Sequence, residues 1–167
     1  MAPLGWLLCG WPDPLTFLKL ESLFSVWSFI GLEFGLTVGI IMYALTSIDT
    51  SKPHFSRQLE LIRSLKLTVF DMVFLSLCAG IGEEILFRVA LQQSMHPILA
   101  SLVFVAIHGY ILPNDWSTTK FGFLVFLFIL VLSYAISGAQ GLWFCVFAHA
   151  GYDFVLFYFW TKNQGST

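Results

Sequence analysis

The sequence predicts an all-α fold, a polytopic transmembrane helix bundle of about five spans. Composition is the first observation behind this. Of 167 residues, 57% are hydrophobic and 11% charged, with a mean hydropathy of +0.82. Soluble domains run near ~45–50% apolar and ~25% charged. A chain of this size has too little interior to hide the excess. Patterning is the second observation: the apolar residues gather in runs close to the ~20 residues needed to cross hydrocarbon, separated by short polar turns. The third is that the few ionisable residues inside those runs cluster instead of scattering. The net charge of −2 comes without any basic tract, which excludes a nucleic-acid partner.

Each element follows from the local sequence. Met1–Trp11 is apolar but short, has no basic lead and runs into Pro12-Asp13-Pro14. It reads as an interfacial lead-in with Trp6 and Trp11 at headgroup depth, not as a cleavable signal peptide. Phe24–Leu45 is the first span, with Glu33 as its sole charge, suited to packing or snorkelling. Thr46–Lys66 is a polar linker holding Asp49, Lys52, His54, Arg57, Glu60, Arg63 and Lys66. Thr68–Leu91 is the second span, and Asp71 near its edge suits a helix start. Gln92–Pro97 is a polar turn in which His96 is solvated. Ile98–Leu112 is a shorter third helix, and Pro113–Thr119 a loop. Phe121–Ile136 is the fourth span; Ser137–Gly141 is a turn whose glycines suit a helix stop; Leu142–Trp160 is the fifth span. The chain divides into an N-terminal part, 1–65, a core, 66–160, and a tail, 161–167. With five spans, Lys52, Arg57, Arg63, Lys66, Lys120 and Lys162 share one side and Lys19 takes the other. The basic side is expected to be cytoplasmic, with the N-terminus outside. Cys9, Cys78 and Cys145 lie far apart among apolar neighbours and suit packing.

The second span carries Glu83, Glu84 and Arg88 within six residues. Each such group costs roughly 2.5–3.5 kcal/mol at the centre of a membrane helix on insertion scales. Ionisable groups at that depth read as a functional site facing the protein interior. Glu84 and Arg88 are i,i+4 and can pair, while Glu83 lies about 100° round the helix and is free to face elsewhere. Ala79, Gly80 and Gly82 just before them would let another helix approach closely. Phe104 and His108 are i,i+4 on the third helix, and His149 and Asp153 are i,i+4 on the fifth. A lone histidine in a membrane helix is commonly an interhelical hydrogen-bond former, and a lone Glu–Arg pair is as often structural. A set of ionisable groups recurring on several helices is not explained so cheaply, and bundles build sites from side chains that converge in this way.

Glu83-Glu84-x-x-x-Arg88, then Phe104-x-x-x-His108, then His149-x-x-x-Asp153 resembles, in order and spacing, the motifs of the CAAX protease and bacteriocin-processing (abortive-infection) family of intramembrane proteases. The resemblance implies a catalytic cavity within the membrane. Glu83 would be the general base that activates a water, His108 would help hold that water, and His149 and Asp153 would sit opposite, near the scissile carbonyl. Glu84 and Arg88 would be a supporting ion pair that orients Glu83, and Phe104 would pack beneath the site. Some relatives have Asn where this chain has Asp153. An ionised Asp offers only acceptors, so Asp153 is expected to orient His149 or to ligate a metal, leaving His149 as oxyanion donor; a protonated Asp153 would be the alternative donor. Glu83, His108, His149 and Asp153 are also a plausible zinc set; cofactor-free glutamic catalysis and Zn²⁺ catalysis both remain open.

The function this implies is an intramembrane endopeptidase hydrolysing a peptide bond of a membrane-associated CAAX-type, leader or transmembrane peptide. The alternative is a non-proteolytic membrane scaffold or bacteriocin self-immunity protein of the same fold. A third class is a proton or ion relay, since Glu/His chains also serve as relays. The expected partners are the lipid bilayer and a membrane-embedded or lipidated peptide, with a homo-oligomer or partner subunit completing the gate. The expected location is a bacterial or archaeal plasma membrane, multi-pass.

Overall fold

The computed structural model describes residues 1–10, 13, 18–48 and 62–162, and among these there is no strand. The helices are α1 (Ala2–Leu8), α2 (Val26–Ile48), α3 (Val69–Glu84), α4 (Pro97–Ile107), α5 (Trp116–Ala135) and α6 (Gly141–Lys162). A single π-helical stretch, Ile85–Ala90, continues α3 without a break, and short 3₁₀ turns occupy Leu20–Ser22 and Leu91–Gln93. The all-α bundle is as expected. Trp11, Pro12, Pro14, Asp49, Lys52, His54, Arg57, Glu60 and the tail beyond Lys162 lie outside the described residues.

Among the described residues, three helices are long and apolar enough to cross a membrane: α2 over Val26–Ser47, α5, and α6. The second expected span is helical from Val69 through the π stretch, but it changes its winding at Ile85, where the charged residues sit. The third expected helix has 11 residues, about 16 Å at ~1.5 Å per residue, which is short of the ~30 Å hydrocarbon core.

Local chemistry sets the boundaries and corrects several of them. Thr68 and Asp71 form a capping box at the start of α3, the Thr68 hydroxyl accepting from the Asp71 N–H and the Asp71 carboxylate accepting from the Thr68 N–H. α5 begins at Trp116 and not at Phe121. Asp115 Oδ1 accepts from the Ser117 and Thr118 N–H groups at 3.1 Å, a side-chain N-cap that turns the expected loop into a first helical turn. α4 stops at Ile107, five residues before the expected Leu112. Gly109 takes φ +73°, and the N–H groups of Gly109 and Tyr110 donate back to Ala106 and Val105 carbonyls at 3.1 and 3.2 Å. This is a Schellman stop, which glycine adopts without a Cβ penalty. His96 is exposed, as expected, and also caps α4, its Nδ1 accepting from the Ile98 N–H at 3.3 Å.

α6 is the centre of the bundle, buried on several faces, so its sequence is apolar all round instead of striped. On one side lies α2, the most extensive pairing in the molecule. Gly31, Gly35 and Gly39 line that contact: a Cβ on Gly35 would overlap the Ala148 carbonyl, and one on Gly31 would collide with Phe144 backbone. This i,i+4 glycine stripe lets the backbones approach as in membrane dimers. On a second side, Gly80 of α3 rests against Val146 and Ala150, as the small residues of that helix led one to expect. On a third, Tyr152 stacks on Phe128 of α5, with ring centroids 4.7 Å apart. Ser101 of α4 meets Ser133 of α5 at 2.8 Å. Arg63 Nε donates to the Trp160 carbonyl at 3.3 Å, placing a cation at the C-terminal end of α6, where the helix dipole favours it. α1 does not stand apart: Gly5 packs on Ile85, and the Cys9 thiol donates to the Val89 carbonyl at 3.7 Å, so the N-terminal segment covers the π-helical stretch. Glu33 is exposed on the outer face of α2.

Candidate active site

The close approach of α3 to α6 at Gly80 decides what the next turn of α3 can reach. One turn later, Glu83 and Glu84 arrive beside His149. The Schellman stop of α4 delivers His108 to the same place. Its ring stacks on Phe104 at 4.2 Å and 19°, and its Nδ1 lies 2.7 Å from the Phe104 carbonyl. A carbonyl only accepts, so Nδ1 carries the proton and Nε2 points inward. Glu83 Oε2 is 3.3 Å from His108 Nε2 and 3.8 Å from His149 Nε2. Asp153 Oδ2 lies 3.7 Å from that same His149 nitrogen. All four residues line one cavity of about 190 Å³. Glu83 Oε2 is buried yet has no aligned hydrogen bond. Its separation from His108 is within ion-pair reach, and with the His108 proton on Nδ1 the facing Nε2 has no hydrogen to give.

Glu84 has a partner beyond the one expected of it. It is fully buried. One oxygen is 2.7 Å from His149 Nδ1, and the other accepts from Arg88 Nε at 3.0 Å. The pairing with Arg88 follows the i,i+4 spacing, and the histidine bonded to the pair is His149. Asp153, expected to hold the His149 ring, stands 3.7 Å away on the Nε2 side, beyond hydrogen-bond distance. The two carboxylates meet opposite edges of the ring: Glu84 reaches Nδ1 from α3, whereas Asp153, one turn further along α6, lies on the Nε2 edge and lines the cavity. Phe104 packs against the site as a neighbour of both histidines, its ring 5.8 Å from His149 and edge-on to Phe87 at 4.9 Å.

The buried charge chain extends beyond the motif residues. Arg88 Nη1 donates to Ser133 Oγ at 2.7 Å, Ser133 meets Ser101, and Gln92 Nε2 donates to the Ser133 carbonyl at 2.6 Å. Ser101 and Ser133 are each fully buried. Their signal in the sequence was a lone hydroxyl residue inside an apolar helix, too common to single out. Gln92 stands in a stretch whose sequence signals only a polar turn. The result is a continuous polar path from His149 on α6 through α3 to α5 and α4, with each buried charge given a partner as low-dielectric surroundings demand.

The donor set expected for zinc is Glu83, His108, His149 and Asp153. Among the described residues, no three His, Cys, Asp or Glu side chains are arranged to hold a metal ion. Each histidine has Nδ1 held from outside the cavity, by Glu84 for His149 and by the Phe104 carbonyl for His108, and turns Nε2 toward Glu83, an arrangement equally compatible with a ligating imidazole.

A family model described as type II CAAX prenyl endopeptidase, Rce1-like, matches residues 65–155. That stretch contains every residue of the three motifs and more than half of the chain. No curated protein and no solved structure matches. The chain belongs to the Rce1-like family of type II CAAX prenyl endopeptidases, within the CAAX protease and bacteriocin-processing group that its motifs resemble.

Proposed function

We propose that this membrane protein is an intramembrane endopeptidase that hydrolyses a peptide bond of a prenylated CAAX-type peptide with a water activated by Glu83 and His108. Membership of a protease family supports the class of reaction. The single observation that carries the mechanism is the gap at Glu83 Oε2, 3.3 Å from His108 Nε2 and 3.8 Å from His149 Nε2, without an aligned bond to either. When both rings are neutral, their Nε2 lone pairs face a carboxylate, an arrangement that repels until a proton donor intervenes. A water seated there donates one hydrogen to Glu83 and the other to a ring nitrogen. Glu83 then takes the proton as the water oxygen attacks the scissile carbonyl, and passes it to the departing amine. His149 is held by Glu84 at a fixed orientation beside the attack position, and fixed groups need no reorganisation in the transition state. The apolar walls of the cavity exclude bulk water, which strengthens each of these interactions.

No step in this scheme requires a metal ion, and cleavage is expected to persist in a zinc chelator. Purified protein in bilayer nanodiscs is to be given reporter peptides ending in a Cys-a-a-X sequence, with and without an isoprenoid on the cysteine, and products mapped by mass spectrometry. Cleavage confined to the prenylated reporters supports the proposal. Equal cleavage of unmodified transmembrane peptides would overturn its substrate class. Loss of cleavage on chelation, with recovery on added zinc, would overturn the metal-free chemistry.

A further inference from the structure

The reaction needs a hydrogen-bond donor for the oxyanion that forms on the scissile carbonyl, and the motif residues are poorly equipped to give one. Ionised Glu83 and Asp153 are acceptors only. His149 commits Nδ1 to Glu84. Its Nε2 is a lone pair when the ring is neutral. When the ring is charged, its N–H lies between the carboxylates of Glu83 and Asp153, at 3.8 and 3.7 Å, within ion-pair reach of both though bonded to neither, and their negative charge opposes an oxyanion beside it. His108 is in the same position, with Nδ1 on the Phe104 carbonyl and Nε2 facing Glu83.

One neutral donor in the cavity has no partner. Tyr152 lines the same cavity as the four motif residues. The residue is 5% exposed, and its hydroxyl is buried without any hydrogen-bond partner. A buried hydroxyl left unpaired costs roughly 1–3 kcal/mol, so an orphan here calls for a role. Residues 149, 152 and 153 are i, i+3 and i+4 on α6, so one helix face presents all of them. The Tyr152 ring is clamped by stacking on Phe128, at 4.7 Å and 23°. A phenol held by its ring on a buried helix is fixed before substrate arrives, as an oxyanion donor must be.

We infer that Tyr152 is a further catalytic residue of this chain, its hydroxyl donating a hydrogen bond to the oxyanion of the tetrahedral intermediate. The inference rests on the protease reading above. The hydroxyl stays protonated throughout: it donates a hydrogen bond and transfers no proton.

Tyr152→Phe removes one oxygen and keeps the clamped ring. Expected are a kcat lower by about 100-fold, the scale of losing one oxyanion donor, an unchanged KM, and a melting temperature equal to or above that of wild type. A phosphinic peptide that mimics the tetrahedral state is expected to bind Tyr152→Phe more weakly by the same factor as the fall in kcat/KM, because such analogues report transition-state contacts. A packing role would move the melting temperature and KM and leave that correspondence absent. If Tyr152→Phe does not fold, 3-fluorotyrosine at position 152, a stronger donor of nearly the same shape, is expected to raise kcat. An unchanged kcat in either variant overturns the inference. Glu83→Gln runs alongside: if it abolishes cleavage while Tyr152→Phe leaves kcat intact, the inference alone fails, and if the wild type cleaves nothing, the protease reading fails and takes the inference with it.

Discussion

Replacing Glu84 with Gln separates the two tasks that one buried carboxylate performs. Both its oxygens face donors, Arg88 Nε at 3.0 Å and His149 Nδ1 at 2.7 Å, and Glu84 is fully buried. A glutamine has one carbonyl oxygen to offer. Whichever donor it serves, its own NH₂ faces the other. If it serves His149, the Arg88 cation is left with the Ser133 hydroxyl, and Arg88 Nη2 already has no partner. Breaking a buried ion pair from one side costs about 3–5 kcal/mol. At about 2–4 °C per kcal/mol for a chain of this size, the melting temperature in detergent is expected to fall by roughly 6–20 °C. If the glutamine serves Arg88 instead, the His149 ring loses its anchor, and a displacement of about 1 Å at a reacting group can cost on the order of 10²-fold in rate. The assay pairs thermal unfolding with reporter cleavage measured well below the transition. The double variant Glu84→Leu with Arg88→Leu removes both charges. It is expected to melt above Glu84→Leu alone and to remain inactive, since stability and ring orientation are then uncoupled. A Glu84→Gln protein that melts with the wild type and cleaves at the wild-type rate would refute the Arg88–Glu84–His149 chain.

Other perturbations follow from the scaffold. Gly35→Leu drives a side chain into the Ala148 carbonyl, one residue before His149; overpacking of about 1–3 kcal/mol and loss of cleavage are expected, measured by unfolding and by reporter turnover. Gly109→Val places a β-branched residue at φ +73° and is expected to cost at least the ~1–2 kcal/mol of left-handed backbone while displacing His108, so kcat falls more than stability. Asp115→Ala removes the cap of α5 at a cost of about 1 kcal/mol, with turnover preserved because α5 carries none of the proposed water-activating groups. The contrast between the last two is the check: equal losses of activity would mean that the reporter reads global stability alone.

The fold and the site were legible in the sequence to different depths. Composition and run length are sufficient for an all-α membrane bundle, because the bilayer imposes helix on any long apolar segment. The spacings of Glu83/Glu84/Arg88, Phe104/His108 and His149/Asp153 already placed each group on an inward face. What escaped were features set by contact between distant segments. The Gly31/Gly35/Gly39 stripe is visible as a pattern, but its partner, Ala148, is not. The hydroxyl of Tyr152 is inconspicuous in a helix rich in aromatics, and only the packing shows it buried without a partner. Gly109 and Asp115 carried local signals strong enough to place the ends of α4 and α5, yet the apolar runs around them dominated the boundaries. Glu84 was paired with Arg88 from spacing alone, while its second partner lay 65 residues away, beyond what periodicity can report.

The central claim is that Glu83 is the base, and single-turnover cleavage of a prenylated reporter by Glu83→Gln tests it most directly. Glutamine keeps the shape and much of the hydrogen bonding but cannot take the proton. The account predicts a protein that folds and binds the reporter as the wild type does, with a chemical step slowed by about 10²–10⁴-fold, the usual share of a general base. A Glu83→Gln enzyme that cleaves at the wild-type rate would contradict it.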